Sequence, residues 1–384
     1  MKNFFIFVKQ NLNEYTYKRY DIKKLEKSKN VKFFNVLSLI NHNLYSENFF
    51  KKLRSKIFID ITKFSQLVKE LSRINSSTYF FNTIGENTIT SLIINFYCRI
   101  RKAKKVQIRN LILIDDNYKP SFKDQLKKFF IYKKIDFFKI FKNKLFVFLN
   151  YTIKTKLTFE VLTSPIFLKT NHKTKQIMCA SYEYLQFLKY KKNIKKKNYF
   201  VFIDQNLENS FDNKLNYGSI SMEKKNYYKS LKIFFDKFEK IYKTKVIIAS
   251  HYTRNKPFLF LNKRKLIKNK TLNLIKQSRG VLAHHSVAIQ YAILAKKPII
   301  FLFNNDIFEK KRNFIKMITL KNKLKSSLIN LEDYDSFFKK NKNTILSVSK
   351  KKYDEYIKKY ISSNKYTSRV NPFSLISDII SQNV

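Results

Sequence analysis

Short runs of β-branched and aromatic residues alternate along the chain with longer stretches whose apolar positions recur every three or four residues. This is the pattern of an α/β protein built on parallel sheets. In the first half, Phe4–Val8, Val31–Leu39, Thr78–Ile84 and Val106–Ile114 predict strands. Tyr15–Ser28, Lys63–Ile74, Ile89–Lys102 and Phe122–Ile135 predict helices, the last capped by Ser121 after Pro120. The stretch from Asn143 to Thr170 has no clean period and predicts strands and loops.

A lysine-rich interruption, Lys191–Asn198, precedes a strong strand over Tyr199–Asp204 and sets a domain boundary near residue 195. Beyond it the pattern predicts a helix over Lys224–Tyr242, a strand over Lys245–Ser250 and a helix over Lys270–Gln277. A strand over Gly280–Ala283, a helix over Ser286–Ala295 and a strand over Pro298–Phe303 follow. Helices over Tyr353–Ile361 and Pro372–Ile380 close the chain. The expected organisation is therefore 1–195, 196–350 and a helical tail over 351–384.

At 384 residues the chain is long enough for two cores, and 44% hydrophobic residues argue against disorder. Only Gly85, Gly218 and Gly280 are glycines. They are too far apart for a G-x-G-x-x-G dinucleotide fingerprint or a G-x-x-x-x-G-K-[ST] phosphate loop. Lys and Arg number 79 against 27 acidic residues, a formal charge of +52. The lysines are spread through the whole chain beside abundant Asn, Ile, Phe and Tyr, as compositional drift would leave them. Just 11 of the 79 are Arg, the residue that reads nucleic-acid grooves bidentately, which argues against nucleic acid as a partner. The remaining use of such a surface is to hold phosphates or anionic lipid.

Cys98 and Cys179 are too few for a disulfide framework and suit a reducing compartment. The apolar run Phe4–Val8 is too short for a signal peptide, and no stretch approaches 18 apolar residues. The expected location is cytoplasmic, with contact at the inner membrane face left open.

In an open parallel sheet, ligands bind beyond the carboxyl ends of the strands. That rule selects Asp204-Gln205-Asn206, then His251-Tyr252-Thr253-Arg254, then His284-His285-Ser286, and in the first half Asp115-Asp116-Asn117. Ser286 reads either as a helix N-cap or as a phosphate-binding hydroxyl at a helix start. His251 reads as a packed loop residue or a ligand contact. Of His284 and His285, which point in different directions, one at most faces a cleft. Asp115-Asp116-Asn117 is a good turn sequence. No spacing of His, Cys and carboxylates suggests a metal site.

The second half also carries a resemblance. Val246-Ile-Ile-Ala-Ser-His251, then Lys270–Ser286, then Tyr291-Ala-Ile-Leu-Ala-Lys-Lys-Pro298-Ile-Ile-Phe301 resembles bacterial surface-carbohydrate biosynthesis proteins. These are capsule and lipopolysaccharide glycosyltransferase-like chains of the GT-B fold, and the layout is similar to polysialyltransferases and CDP-glycerol glycerophosphotransferases. Val201–Gln205 and Asn371–Asp378 resemble the family's opening strand of the second domain and its last helix. The specific match covers about residues 199–305 and the tail. It departs in two places: the family's His-Pro is His251-Tyr252 here, and its Ser pair is reduced to Ser286 beside His285.

The resemblance implies two Rossmann-like domains with parallel sheets facing across a cleft. It implies a glycosyltransferase of cell-surface polysaccharide, with a nucleotide-activated sugar or phosphosugar donor, CMP- or CDP-linked forms being candidates. The acceptor would be a glycan or a lipid-linked glycan, met at the membrane face. His251 and Ser286 would contact the donor phosphate, with Arg254, His285 and Lys297 beside them and no metal or other cofactor required. The acceptor-activating base would be Asp116, whose surroundings resemble the Asp/Glu-Asp/Glu-Gly motif of the similar sialyltransferases, or Asp204 near the hinge. The alternative is a non-catalytic basic protein that binds nucleic acid or acidic glycan on the same scaffold.

Overall fold

The computed structural model describes residues 2–28, 30–46, 53–110, 137–153, 155–168, 174–190, 195–207, 224–251, 254, 264–305, 311–341, 344–362 and 369–382. Among them, two wholly parallel sheets account for the strands. The first has seven: β1 (Phe4–Val8), β2 (Val31–Asn35), β3 (Phe58–Asp60), β4 (Tyr79–Asn82), β5 (Lys104–Arg109), β6 (Leu157–Leu162) and β7 (Lys175–Met178). They lie in the order β3-β2-β1-β4-β5-β6-β7. The second has six: β8 (Tyr199–Ile203), β9 (Lys245–Ser250), β10 (Leu266–Lys268), β11 (Gly280–Ala283), β12 (Ile299–Phe303) and β13 (Ser327–Asn330). Their order is β10-β9-β8-β11-β12-β13.

The central strands are apolar throughout because both faces are covered. Every residue of β1 and of β8 is buried. Side chains alternate between two cores: Phe4, Ile6 and Val8 point one way, Phe5 and Phe7 the other. The second sheet divides likewise, with Val281 and Ala283 in one core and Leu282 in the opposite one. Gly280 is required by close packing. A Cβ there would run into the Phe200 ring and lie 3.1 Å from the Pro298 carbonyl oxygen.

The pattern located the long elements best. Lys224–Tyr242, Lys245–Ser250 and Gly280–Ala283 have the expected bounds. The edge strands β3, β10 and β13 are three or four residues long, too short to show a period. Phe137–Thr152 is helical, whereas its aromatic richness suggested strands and loops from Asn143. Val31–Leu39 stops being a strand at Asn35, whose side chain accepts the Leu37 N–H and turns the chain into Leu37–Ile40. Tyr15–Ser28 is two helices, Glu14–Arg19 and Ile22–Leu25. The break comes where Asp21 takes a left-handed conformation (φ 55°), while Tyr20 packs on Phe33 and Phe373. The expected helix Phe122–Ile135 lies outside the described residues.

The two lobes are linked by more than one chain crossing. The helix Tyr182–Lys189 packs on Ile289–Leu294 of the second lobe, and Tyr182 meets Tyr15 of the first edge to face. Farther on, the Ser164 hydroxyl donates to the Tyr360 carbonyl at 2.6 Å. The helix Pro372–Gln382 then returns to the first sheet, burying Phe373, Ile376 and Ile380 in its core. The carboxyl edges face one another: Asn269, just past β10, donates to Glu14, in the helix after β1, at 3.1 Å.

Candidate functional site

Each sheet has a point where the strand order reverses, and the helices on either side leave a crevice there. In the second sheet this falls between β8 and β11, with β9 on the other flank of β8. Asp204, His251 and His284-His285-Ser286 therefore come from the carboxyl ends of three consecutive strands. The histidine-bearing strands flank β8 instead of adjoining each other.

Asp204 is the fixed point of this edge. It is 5% exposed, and its carboxylate accepts four hydrogen bonds. Arg254 Nε donates to Oδ2 at 2.6 Å and Nη2 to Oδ1 at 3.1 Å. The backbone N–H groups of His251 and Asn206 add bonds of 3.1 and 2.8 Å. Asn206 supports the turn with a left-handed backbone (φ 49°), which Asn tolerates. Arg254, also 5% exposed, makes a further bond to the Tyr228 hydroxyl at 3.2 Å. Asp204 is thus committed to holding Arg254 and the His251 main chain, which is not the posture of a base that collects a proton. Arg254 likewise directs its guanidinium at Asp204.

His284 is a core residue. Its Nδ1–H donates to the Leu302 carbonyl and its Nε2 accepts from the Tyr227 hydroxyl, both at 2.6 Å. Burial pushes its pKa down to about 4, so the ring is neutral at physiological pH. His285 points away, half-buried, with its backbone N–H bound by the Gln205 side chain at 3.1 Å. Ser286 does not open a helix. Its hydroxyl accepts the Ala288 N–H at 3.3 Å within a turn, and the helix begins at Ile289. Lys297 sits at the opposite edge of the sheet, before β12. Its ammonium donates to the Ser278 carbonyl at 2.5 Å, and burial lowers its pKa. It takes no part in this crevice.

The first sheet reverses between β1 and β4. Its carboxyl edge is built from amides. Asn35 Nδ2 donates to Asp60 at 2.7 Å and to Asn11 at 3.0 Å. Asn82 reaches Ser91 and Asn95, Asn95 reaches Asn150, and Asn150 donates to the Glu86 carbonyl at 2.7 Å. The Glu86 side chain is exposed in the loop after β4, beside the reversal. The sequence reading passed over it, although Gly85-Glu86-Asn87 follows a strand in the way the other selected positions do. Asp116 lies outside the described residues.

Both thiols are buried, and burial raises the pKa of each, that of Cys179 to about 12. Neither is a nucleophile at neutral pH. Among the described residues no helix is long and apolar enough to cross a membrane.

No family model and no curated protein matches the sequence. Solved structures do match. The calicheamicin glycosyltransferase CalG4 aligns over 99% of this chain and 98% of its own, at a TM-score of 0.51 and 8% identity. A variant of the wall teichoic acid polymerase TagF aligns over 100% of this chain and 89% of its own, at a TM-score of 0.52 and 12% identity. Acinetobacter baumannii MurG aligns over 100% of both chains with a TM-score of 0.45 and 8% identity. At such identities what CalG4 and TagF share with this chain is the fold, two parallel-sheet lobes of GT-B type.

Proposed function

We propose that the chain is a GT-B glycosyltransferase of cell-surface glycan synthesis, using a nucleotide-activated sugar or phosphosugar. The observation that carries this reading is the second sheet's carboxyl edge. There the Asp204–Arg254 pair fixes the main chain of His251 on one side of β8, while His285 and Ser286 emerge on the other. An imidazole and a hydroxyl at that edge suit the negative charge that grows on a nucleotide leaving group. The similarity in fold to CalG4 and TagF, by name a glycosyltransferase and a polymerase of wall teichoic acid, supports the same class of reaction.

The acceptor hydroxyl would lose its proton to a carboxylate of the first lobe. Glu86, exposed beside the first reversal point, fits that task better than Asp204, whose oxygens are taken; Asp116 is the other candidate. The acceptor itself, glycan or lipid-linked, would be met at the cytoplasmic membrane face. CMP and CDP remain the first nucleotides to try, on the resemblance to polysialyltransferases and CDP-glycerol glycerophosphotransferases.

The test is thermal-shift titration of the purified chain with CMP, CDP, UDP and GDP, repeated on His251→Ala. A rise selective for one nucleotide and lost in the variant supports the reading. No shift with any of the four would favour the non-catalytic alternative.

A further inference from the structure

We propose that Glu183 is a proton-operated latch between the two lobes, which keeps them packed when its carboxyl group is neutral and favours their separation when it ionises. Three carboxyl groups are buried among the described residues: Glu160, Glu183 and Asp204. Two of them touch an arginine, Asp204 meeting Arg254 at 2.6 Å and Glu160 meeting Arg109 at 2.8 Å. Glu183, 8% exposed, makes no such direct pair among the described residues. A carboxylate held out of water without a touching counter-ion is costly, and the group takes up a proton instead.

Its position is the seam itself. Glu183 lies in the first turn of Tyr182–Lys189, the helix that follows β7. That helix packs on Ile289–Leu294 of the second lobe. At its start Tyr182 meets Tyr15 of Glu14–Arg19, the helix after β1, with ring centroids 5.9 Å apart. Arg19 and Tyr15 interact with Glu183 electrostatically from the first lobe, and Tyr291 does so from the second. Tyr182 does so from its own helix, and Glu14 acts in turn on Tyr182. Whichever lobe carries Tyr182–Lys189, parting the two strips one wall from Glu183 and admits water.

Electrostatics set the direction of the latch. Burial raises the pKa of Glu183, and the Arg19 guanidinium and the residue's own backbone N–H oppose that rise without cancelling it. Burial also raises the pKa values of Tyr15, Tyr182 and Tyr291, so the three phenols stay neutral at neutral pH. The packed lobes therefore hold the proton more tightly than separated lobes do. Acid favours packing, and packing weakens as the pH climbs from the ordinary carboxylate value to the raised one. Self-repulsion of a chain of charge +52 runs the other way, growing as the pH falls. Ile289–Leu294 begins just beyond the Ser286 turn, so the seam and the second crevice share an element, but the latch stands on packing and not on a transfer reaction.

The experiment is hydrogen exchange of the full chain, read by mass spectrometry over a pH series, on the wild type and on Glu183→Gln. The ratio of the two rates at each pH removes the intrinsic pH dependence of exchange. Amides of Glu14–Arg19, Tyr182–Lys189 and Ile289–Leu294 should exchange faster in the wild type, relative to the variant, as the pH rises. The limit for one proton is about tenfold per pH unit. In Arg19→Met, compared with Arg19→Met/Glu183→Gln, the rise should continue to higher pH before it levels, because the opposing guanidinium is gone.

A ratio that stays flat with pH would overturn the proposal. So would an equal rise for amides of β1 and β8, because Glu183 would then act on global unfolding and not on the seam. Melting curves establish that each variant folds, and Glu183→Met provides the same comparison if Glu183→Gln does not. The exchange is read without nucleotide, so its failure and that of the thermal-shift titration are separate results.

Discussion

The carboxyl edges of the two sheets do comparable geometric work with different chemistry. On the second, a buried ion pair and a buried neutral histidine hold the strand ends: Asp204 with Arg254, and His284 between Leu302 and Tyr227. On the first, the ties around the reversal point are mostly amides, running from Asn11 through Asn35 to the Asp60 carboxylate and from Asn82 through Asn95 to Asn150, with the Arg109–Glu160 ion pair farther along the sheet. A charge pair at low dielectric is stiff, and breaking it leaves an ion stranded. An amide network loses one bond at a time and leaves its neighbours in place. Under the proposed function, the second edge would be preformed for a charged nucleotide and the first would present groups that bind hydroxyls.

The most damaging way to test this contrast is Asp204→Ala, which leaves Arg254 buried without its carboxylate. It should cost about 3–5 kcal/mol in urea unfolding. The double variant Asp204→Ala/Arg254→Met should cost much less than the sum of the single changes.

The buried histidine gives the second lobe an acid-sensitive stability. His284 titrates near 4 when folded and near 6.5 when unfolded, so between those values the unfolded chain binds the extra proton. Its contribution is complete above pH 6.5 and falls by about 3 kcal/mol as the pH drops towards 4. The unfolding free energy followed over that range should therefore steepen on the acid side, and His284→Gln should flatten that part of the profile.

Gly280→Ala forces a methyl group against Phe200 and should cost about 1–3 kcal/mol. On the amide edge, Asn35→Ala removes bonds to Asn11, Asp60 and the Leu37 N–H; about 1–2 kcal/mol is expected by the same measurement. Ser286→Ala should be the mildest, within about 0.5 kcal/mol. Its effect should show in nucleotide titration instead. A large stability loss there would make Ser286 a structural residue.

The lobes also differ in how far their sequence discloses them. Around β8, β9 and β11, strands are long, apolar and separated by well-marked helices, so the edge bearing His251, His285 and Ser286 could be placed from pattern alone. Strand parity even assigns the two adjacent histidines. His284 continues the face of Leu282 into the core with Phe202, and His285 continues the face of Ala283. What pattern did not supply was the Asp204–Arg254 pair. Its members are far apart in sequence and meet only because β8 and β9 pair in parallel register. The first lobe is harder to read because Phe and Tyr serve strands and an exposed helix alike, and a three-residue strand such as β3 has no period to detect. Glu86 escaped notice for a related reason: its loop is defined as a crevice only once β1 and β4 are known to be neighbours.

The helix Pro372–Gln382 completes a core whose strands all lie before residue 179. Phe373 packs on Tyr20, and Lys24 pairs with Asp378 at 2.9 Å. During synthesis the first lobe therefore emerges with an apolar groove that remains unfilled until the whole second lobe has left the ribosome. The second lobe closes earlier along the chain, its core completed by Tyr353, Tyr356, Tyr360 and Ile361. The order of synthesis and the order of completion are thus opposite, and the lobe made first is the one that needs protection longest.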